Sequence, residues 1–133
     1  MIQYRLEPEL CCDEFIDCLI RSTLSERRPV ECRKTMSGML AQADILVTAR
    51  TAEGLLVGVA RSLSDFHYCT YLSDLAVDVP FQRQGIGRAL IEQTHLAAGK
   101  HTMLLLLSAP KATSYYPHLG MLPHESAWYF PRS

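Results

Sequence analysis

The sequence has one tryptophan, no Cys-x-x-Cys pair, no His-Glu-x-x-His pair and no excess of charge of either sign. Lys and Arg number 13 against 14 for Asp and Glu. A chain so balanced has no bulk attraction for a phosphate backbone, which excludes a nucleic-acid partner bound by charge alone. The longest apolar runs, near Ile45 and Met103, are strand-length and fall short of the ~20 residues that cross a bilayer. No basic-then-apolar leader opens the chain. No membrane partner is expected, and the cytoplasm is the expected compartment. The five cysteines (Cys11, Cys12, Cys18, Cys32, Cys69) are odd in number and read as reduced thiols packed as small hydrophobes. The five histidines have no zinc-like spacing, so no metal is expected.

What remains is enough for one compact α/β domain over residues 1–133. Ile2–Leu6 reads as a first strand. Glu9–Arg21 places Leu10, Phe15, Leu19 and Ile20 at helical spacing. Pro29 suits the first turn of a second helix ending near Ala43. Ile45–Ala49 and Leu55–Ala60, separated by Glu53-Gly54, read as a hairpin, and Thr70–Val77 as the next strand, stopped by Pro80. Gly85–Ala98 is again helical, with Gly99 as its stop. Met103–Leu107 reads as a strand buried on both faces and parallel to its neighbour. Ala112–Leu119 is predicted as a short helix, and Trp128–Phe130 as a terminal strand.

The most informative stretch runs from Leu75 to Leu90. A strand turns through Gln82-Arg83-Gln84-Gly85-Ile86-Gly87 straight into a helix. Glycine lets a backbone approach a ligand closely. The first amides of a helix lack acceptors and carry the positive end of the dipole. Together they form an anion cradle suited to a pyrophosphate, to which Arg83 and Arg88 add charge. A dinucleotide fingerprint is excluded because Leu90 stands where its third glycine or alanine belongs, and a Walker loop is absent.

Gln82-Arg83-Gln84-Gly85-Ile86-Gly87 resembles the Gln/Arg-x-x-Gly-x-Gly/Ala signature of the GNAT superfamily of N-acetyltransferases. Asp74-Leu75-Ala76-Val77 is similar to that family's fourth strand, and Tyr115-Tyr116-Pro117-His118-Leu119-Gly120-Met121 to its Phe-Tyr-x-x-x-Gly-Phe motif. Tyr115 and Met121 stand where the family has phenylalanine. The resemblance covers nearly the whole chain. It implies a mixed central sheet flanked by helices, in the order β-α-α-β-β-β-α-β-α followed by one or two terminal strands. It implies acetyl-CoA as cosubstrate, held by Leu75, Ala76, Val77, Gln82, Arg83, Gln84, Gly85, Ile86, Gly87 and Arg88. It also implies Tyr116 as proton donor to the departing sulfur, the amide of Val77 on the thioester carbonyl, and a homodimer as one option.

An alkylammonium with a pKa near 10.4 must lose a proton before it attacks a thioester, a handicap of roughly 4–5 kcal/mol at neutral pH. Asp74, a carboxylate in an apolar strand, is the candidate for holding or deprotonating the amine; a structural ion pair or a water relay is the alternative. Ser73 stands where relatives often carry glutamate.

The acceptor expected is a small primary amine. Arg27-Arg28-Pro29, Ala60–Asp65 and Trp128–Pro131 resemble, more weakly, the plant and cyanobacterial serotonin N-acetyltransferase group. An aryl-alkylamine would then lie among Phe66, Tyr68 or Trp128, with Asp65 or Asp74 on its ammonium. A protein-lysine acetyltransferase and a non-catalytic acyl-CoA sensor are the competing readings.

Overall fold

The computed structural model describes residues 1–133, except for the side chain of Lys111. A five-stranded sheet has the order β1-β2-β3-β4-β5, with β1 Gln3–Leu6, β2 Ile45–Arg50, β3 Leu56–Ser64, β4 Cys69–Val77 and β5 Met103–Leu105. The first four strands are antiparallel neighbours. β5 runs parallel to β4, as its position after a helix predicts. Helices α1 (Cys12–Arg21) and α2 (Arg33–Ala41) connect β1 to β2, and α3 (Ile86–Ala98) connects β4 to β5.

The sheet is covered on both faces. Phe15 and Leu19 of α1 and Met36 and Leu40 of α2 pack with Leu46, Leu56 and Val59 on one face. Ile86, Leu90 and Ile91 of α3 pack with Val47, Ala49 and Ala60 on the other. Two covered faces explain why β2 and β3 read as unbroken apolar runs. Gly58 sets how closely α3 approaches. A Cβ there would lie 3.0 Å from Leu90 Cδ1 and 3.2 Å from Ile86 Cγ2, so the glycine lets the start of α3 sit directly on the sheet.

Several expectations shift. α1 begins at Cys12 because the Leu10 amide is taken by Glu7 O in the preceding turn. Pro29 lies ahead of α2 and closes a turn to Cys32, with a 3-10 turn at Leu24–Arg27 before it. β3 continues through the polar residues to Ser64, because its partner β4 extends as far as Cys69. β5 is shorter than expected and an edge strand, so Met103 is exposed and not buried on both faces. The predicted helix over Ala112–Leu119 is instead two 3-10 turns, Pro110–Ala112 and Tyr116–Leu119. Pro117 fits the first turn of the second, and Gly120 at φ 84° ends it. Trp128–Phe130 forms no strand; Trp128 is 92% exposed and Phe130 100%.

Candidate active site

Two irregularities in β4 build the site. Arg61 pairs with Asp74 but Ser62 pairs with Leu72, so Ser73 is an extra residue that bends the strand. The parallel pairing of β4 with β5 extends only over Cys69, Thr70 and Tyr71. Beyond Tyr71 the two strands part, and the gap becomes a cleft of about 640 Å³. Ser73, Leu75 and Val77 line one wall, Leu106, Leu107 and Tyr116 the other, and the loop from Ser22 to Arg28 closes one end.

The edge of β4 facing this cleft has no partner strand. The Asp78 amide donates to Val57 O across the sheet at 2.8 Å. Strand groups alternate in direction, so the N–H and C=O of Leu75 and Val77 point the other way, into the cleft. The Gln82 side-chain amide donates to Val77 O at 2.9 Å, consistent with that direction. Val77 N–H is left aimed at the gap.

After β4 the chain makes a 3-10 turn at Val79–Phe81 and then two left-handed residues, Arg83 at φ 64° and Gly85 at φ 84°. Gly85 caps α3, and the Ala89 amide to Gly85 O is the first bond of the helix. Among the described residues, no amide from Arg83 to Arg88 reaches a backbone acceptor. A second cavity of about 610 Å³ lies against these amides. It shares Leu75, Val77, Gln82 and Ala112 with the first, so the two adjoin around the end of β4. Gln82 and Arg83 are exposed on its rim, Ile86 is buried beneath it, and Gln84, also exposed, lies outside its lining. The Arg88 guanidinium is partly committed, donating to His118 O at 3.0 Å, so it ties the Tyr116–Leu119 turn to α3.

The two tyrosines divide between the cavities. Tyr116 faces the first and Tyr115 the second, with ring centroids 5.2 Å apart and edge-to-face. Burial raises the pKa of both phenols; the neighbouring Tyr115 adds to the rise at Tyr116, and Arg88 opposes it at Tyr115. Tyr116 is thereby held in its protonated, donating form.

Asp74 does not face the cleft. It is 0% exposed, and its two carboxylate oxygens receive Nε of Arg28 and Nε of Arg61. Arg28 also donates to Ser73 O at 2.7 Å, and Arg61 to Ser73 Oγ at 3.1 Å. The expectation that Asp74 meets the amine is corrected on this ground: both oxygens are occupied by guanidiniums beneath the β4 bulge.

Asp65 is likewise engaged elsewhere. It accepts the amides of His67, Tyr68 and Cys69 at the β3–β4 turn, which lower its pKa to about 2. Phe66, Tyr68 and Trp128 are exposed and line neither cavity. Of the cysteines only Cys18 is buried, its thiol pushed up to about 12 by desolvation. Among the described residues no group of three or more His, Cys, Asp or Glu is placed to hold a metal, and no helix is long and apolar enough to cross a membrane.

The model of the acetyltransferase (GNAT) domain family matches residues 22–129. The chain belongs to the GNAT family. An uncharacterized N-acetyltransferase of Pyropia yezoensis is 27% identical over 93 residues, covering 65% of this chain and 53% of that protein. The match thus spans about half the length of that curated relative. A GNAT-family acetyltransferase from Streptococcus pneumoniae superposes with a TM-score of 0.73 at 18% identity, covering all of both chains. An aminoglycoside N-acetyltransferase in complex with CoA gives 0.74 at 17% identity, covering 99% of this chain and 95% of that one. At such identities the structural likeness speaks to the fold.

Within this GNAT domain, sequence reasoning missed Arg28 and Arg61. Arg61 had a readable signal: a lone cation in the apolar strand Leu56–Leu63 needs a lone anion, and β4 supplies one. Arg28 had none, because only the folded loop brings it to β4.

Proposed function

We propose that the chain transfers an acetyl group from acetyl-CoA to the primary amine of a small acceptor by direct attack. The observation that carries this reading is the adjacency of the two cavities, which share Leu75, Val77, Gln82 and Ala112: amides at the start of α3 with no backbone acceptor, a strand edge without a partner at Leu75 and Val77, and a protonated phenol at Tyr116. These features suit, in turn, a diphosphate, an amide-bearing arm and a sulfur leaving group. Bound acetyl-CoA supplies the activated acyl group; the remaining work falls to the protein.

The amides from Arg83 to Arg88, with the exposed guanidinium of Arg83, bind the diphosphate. The edge groups of Leu75 and Val77 hydrogen-bond the pantetheine arm as a further strand would. The Val77 N–H donates to the thioester carbonyl oxygen, where negative charge develops. The ammonium loses a proton to solvent before its nitrogen attacks the thioester carbon. As the C–S bond breaks, the Tyr116 hydroxyl protonates the departing sulfur and regains a proton from the acylated nitrogen or from water. The apolar walls at Leu75, Leu106 and Leu107 limit water around the thioester. Three exposed free cysteines, Cys11, Cys32 and Cys69, suit a reducing compartment such as the cytoplasm.

The test is thiol release from acetyl-CoA with a panel of amines, beside calorimetry of CoA binding. Wild type is expected to bind CoA and release thiol only with an amine present. Tyr116→Phe is expected to lower kcat about 10- to 100-fold with CoA affinity retained. Absence of CoA binding, or turnover confined to peptides, would overturn the reading.

A further inference from the structure

A cleft that accepts an alkylammonium needs a counter-charge, because a cation bordered by apolar walls is costly unless paired. Asp74 is enclosed between Arg28 and Arg61, and Asp78 is paired with Arg21. Among the residues lining the main cleft a single carboxylate remains, Glu26. It sits in the 3-10 turn Leu24–Arg27, on the Ser22–Arg28 loop that lines the cleft. Among the described residues no ion pair engages Glu26 or the guanidinium of Arg27 beside it.

The same wall also limits how much positive charge an acceptor carries. Among the lining residues Arg27 and Arg28 contribute two guanidiniums against the one carboxylate of Glu26, leaving one positive charge in excess. A first ammonium meets Glu26. A second ammonium on the same molecule would enter a lining whose remaining charges are guanidiniums, and like charges repel.

We infer that Glu26 receives the acceptor's ammonium at the exposed end of the cleft, where the nitrogen sheds its proton to water before it attacks the thioester, and that the acceptor is an amine bearing one positive charge, not a polycation. This rests on the N-acetyltransferase reading. Glu26 is an exposed side chain on a surface turn, so its replacement leaves the core untouched.

The experiment compares wild type, Glu26→Gln, Glu26→Asp and Arg27→Gln, with tyramine and tryptamine as monocations and spermidine and kanamycin as polycations. Thiol release gives KM for each partner, and saturation-transfer NMR of tyramine on the CoA-saturated protein reads acceptor binding without turnover. Glu26→Gln is expected to raise KM for the monoamines about tenfold or more, with KM for acetyl-CoA unchanged and Glu26→Asp intermediate. Arg27→Gln is expected to improve spermidine relative to tyramine. The inference is overturned if Glu26→Gln leaves acceptor KM and the NMR signal unchanged, if wild type binds no monoamine, or if it prefers spermidine or kanamycin. Failure of the underlying reading looks different: wild type then neither binds CoA nor releases thiol with any amine, and the inference falls with it.

Discussion

Gly87 and Tyr115 share one space. A Cβ built on Gly87 would lie 2.7 Å from Tyr115 Oη but 3.5 Å from Cζ. A side chain at the second glycine of the turn would therefore crowd the hydroxyl end of the Tyr115 ring. Gly87→Ala is expected to displace the tyrosine and cost about 1–3 kcal/mol in stability. Tyr115→Phe removes the clashing oxygen and leaves ordinary contact, so it should recover most of that loss. A double-mutant cycle by denaturant unfolding checks the relation, and strictly additive effects would contradict it.

Tyr116 gives a prediction in pH. Burial first, and then Tyr115, raise its pKa above the ordinary value near 10. In the proposed role of proton donor, a phenol with a raised pKa stays competent across neutral and mildly alkaline pH and fails only above 10. The kcat of wild type should therefore show an alkaline limb at high pH that Tyr116→Phe lacks. Stopped assays of both proteins from pH 7 to 11 would show it.

The buried pair at Asp74 predicts a stability effect. Asp74→Asn removes the charge that both Arg28 and Arg61 oppose and leaves buried guanidiniums uncompensated. The expected cost is about 3–5 kcal/mol. Arg28→Ala should cost less, since the Arg28 side chain is 22% exposed and Arg61 still satisfies the carboxylate. Urea unfolding of both variants checks the order, and a cheaper Asp74→Asn would argue against the network.

Acid should loosen the β1–β2 edge. Arg50 bonds both oxygens of Glu7, at 2.7 and 2.9 Å, and with Arg5 and Thr48 outweighs the opposing desolvation, lowering the Glu7 pKa to about 2. A depressed carboxylate pKa stabilises the fold above the unfolded value near 4.5 and loses that contribution as pH falls towards 2. Glu7→Gln should therefore cost about 1–3 kcal/mol at pH 7 and much less near pH 2. Thermal melts of both proteins across that range measure the difference.

The readable parts of the chain were those governed by local rules. The turn from Gln82 to Gly87 announced itself because strand, glycines and helix follow one another, and β5 announced its direction because a helix precedes it. Asp74 was legible as an anomaly but not as a role. Its partners lie 46 and 13 residues away, and no spacing rule reaches across that distance. The Trp128–Phe130 segment misled for the opposite reason: aromatic residues favour strands, yet a strand needs a neighbour, and this chain brings none to it. Glu26 carried no signal at all, since a lone glutamate in a polar stretch looks like any solvated residue until a cleft forms beside it.

The brevity of the β4–β5 junction has a mechanical consequence. Three residue pairs fasten β5 to the rest of the sheet, so this seam is the least secured joint between strands, and amide exchange should enter the sheet there first. Whatever lies along the free edge of β4 does more than occupy a pocket: it acts as a splint, filling the missing length of the seam and bracing the two segments that diverge from it.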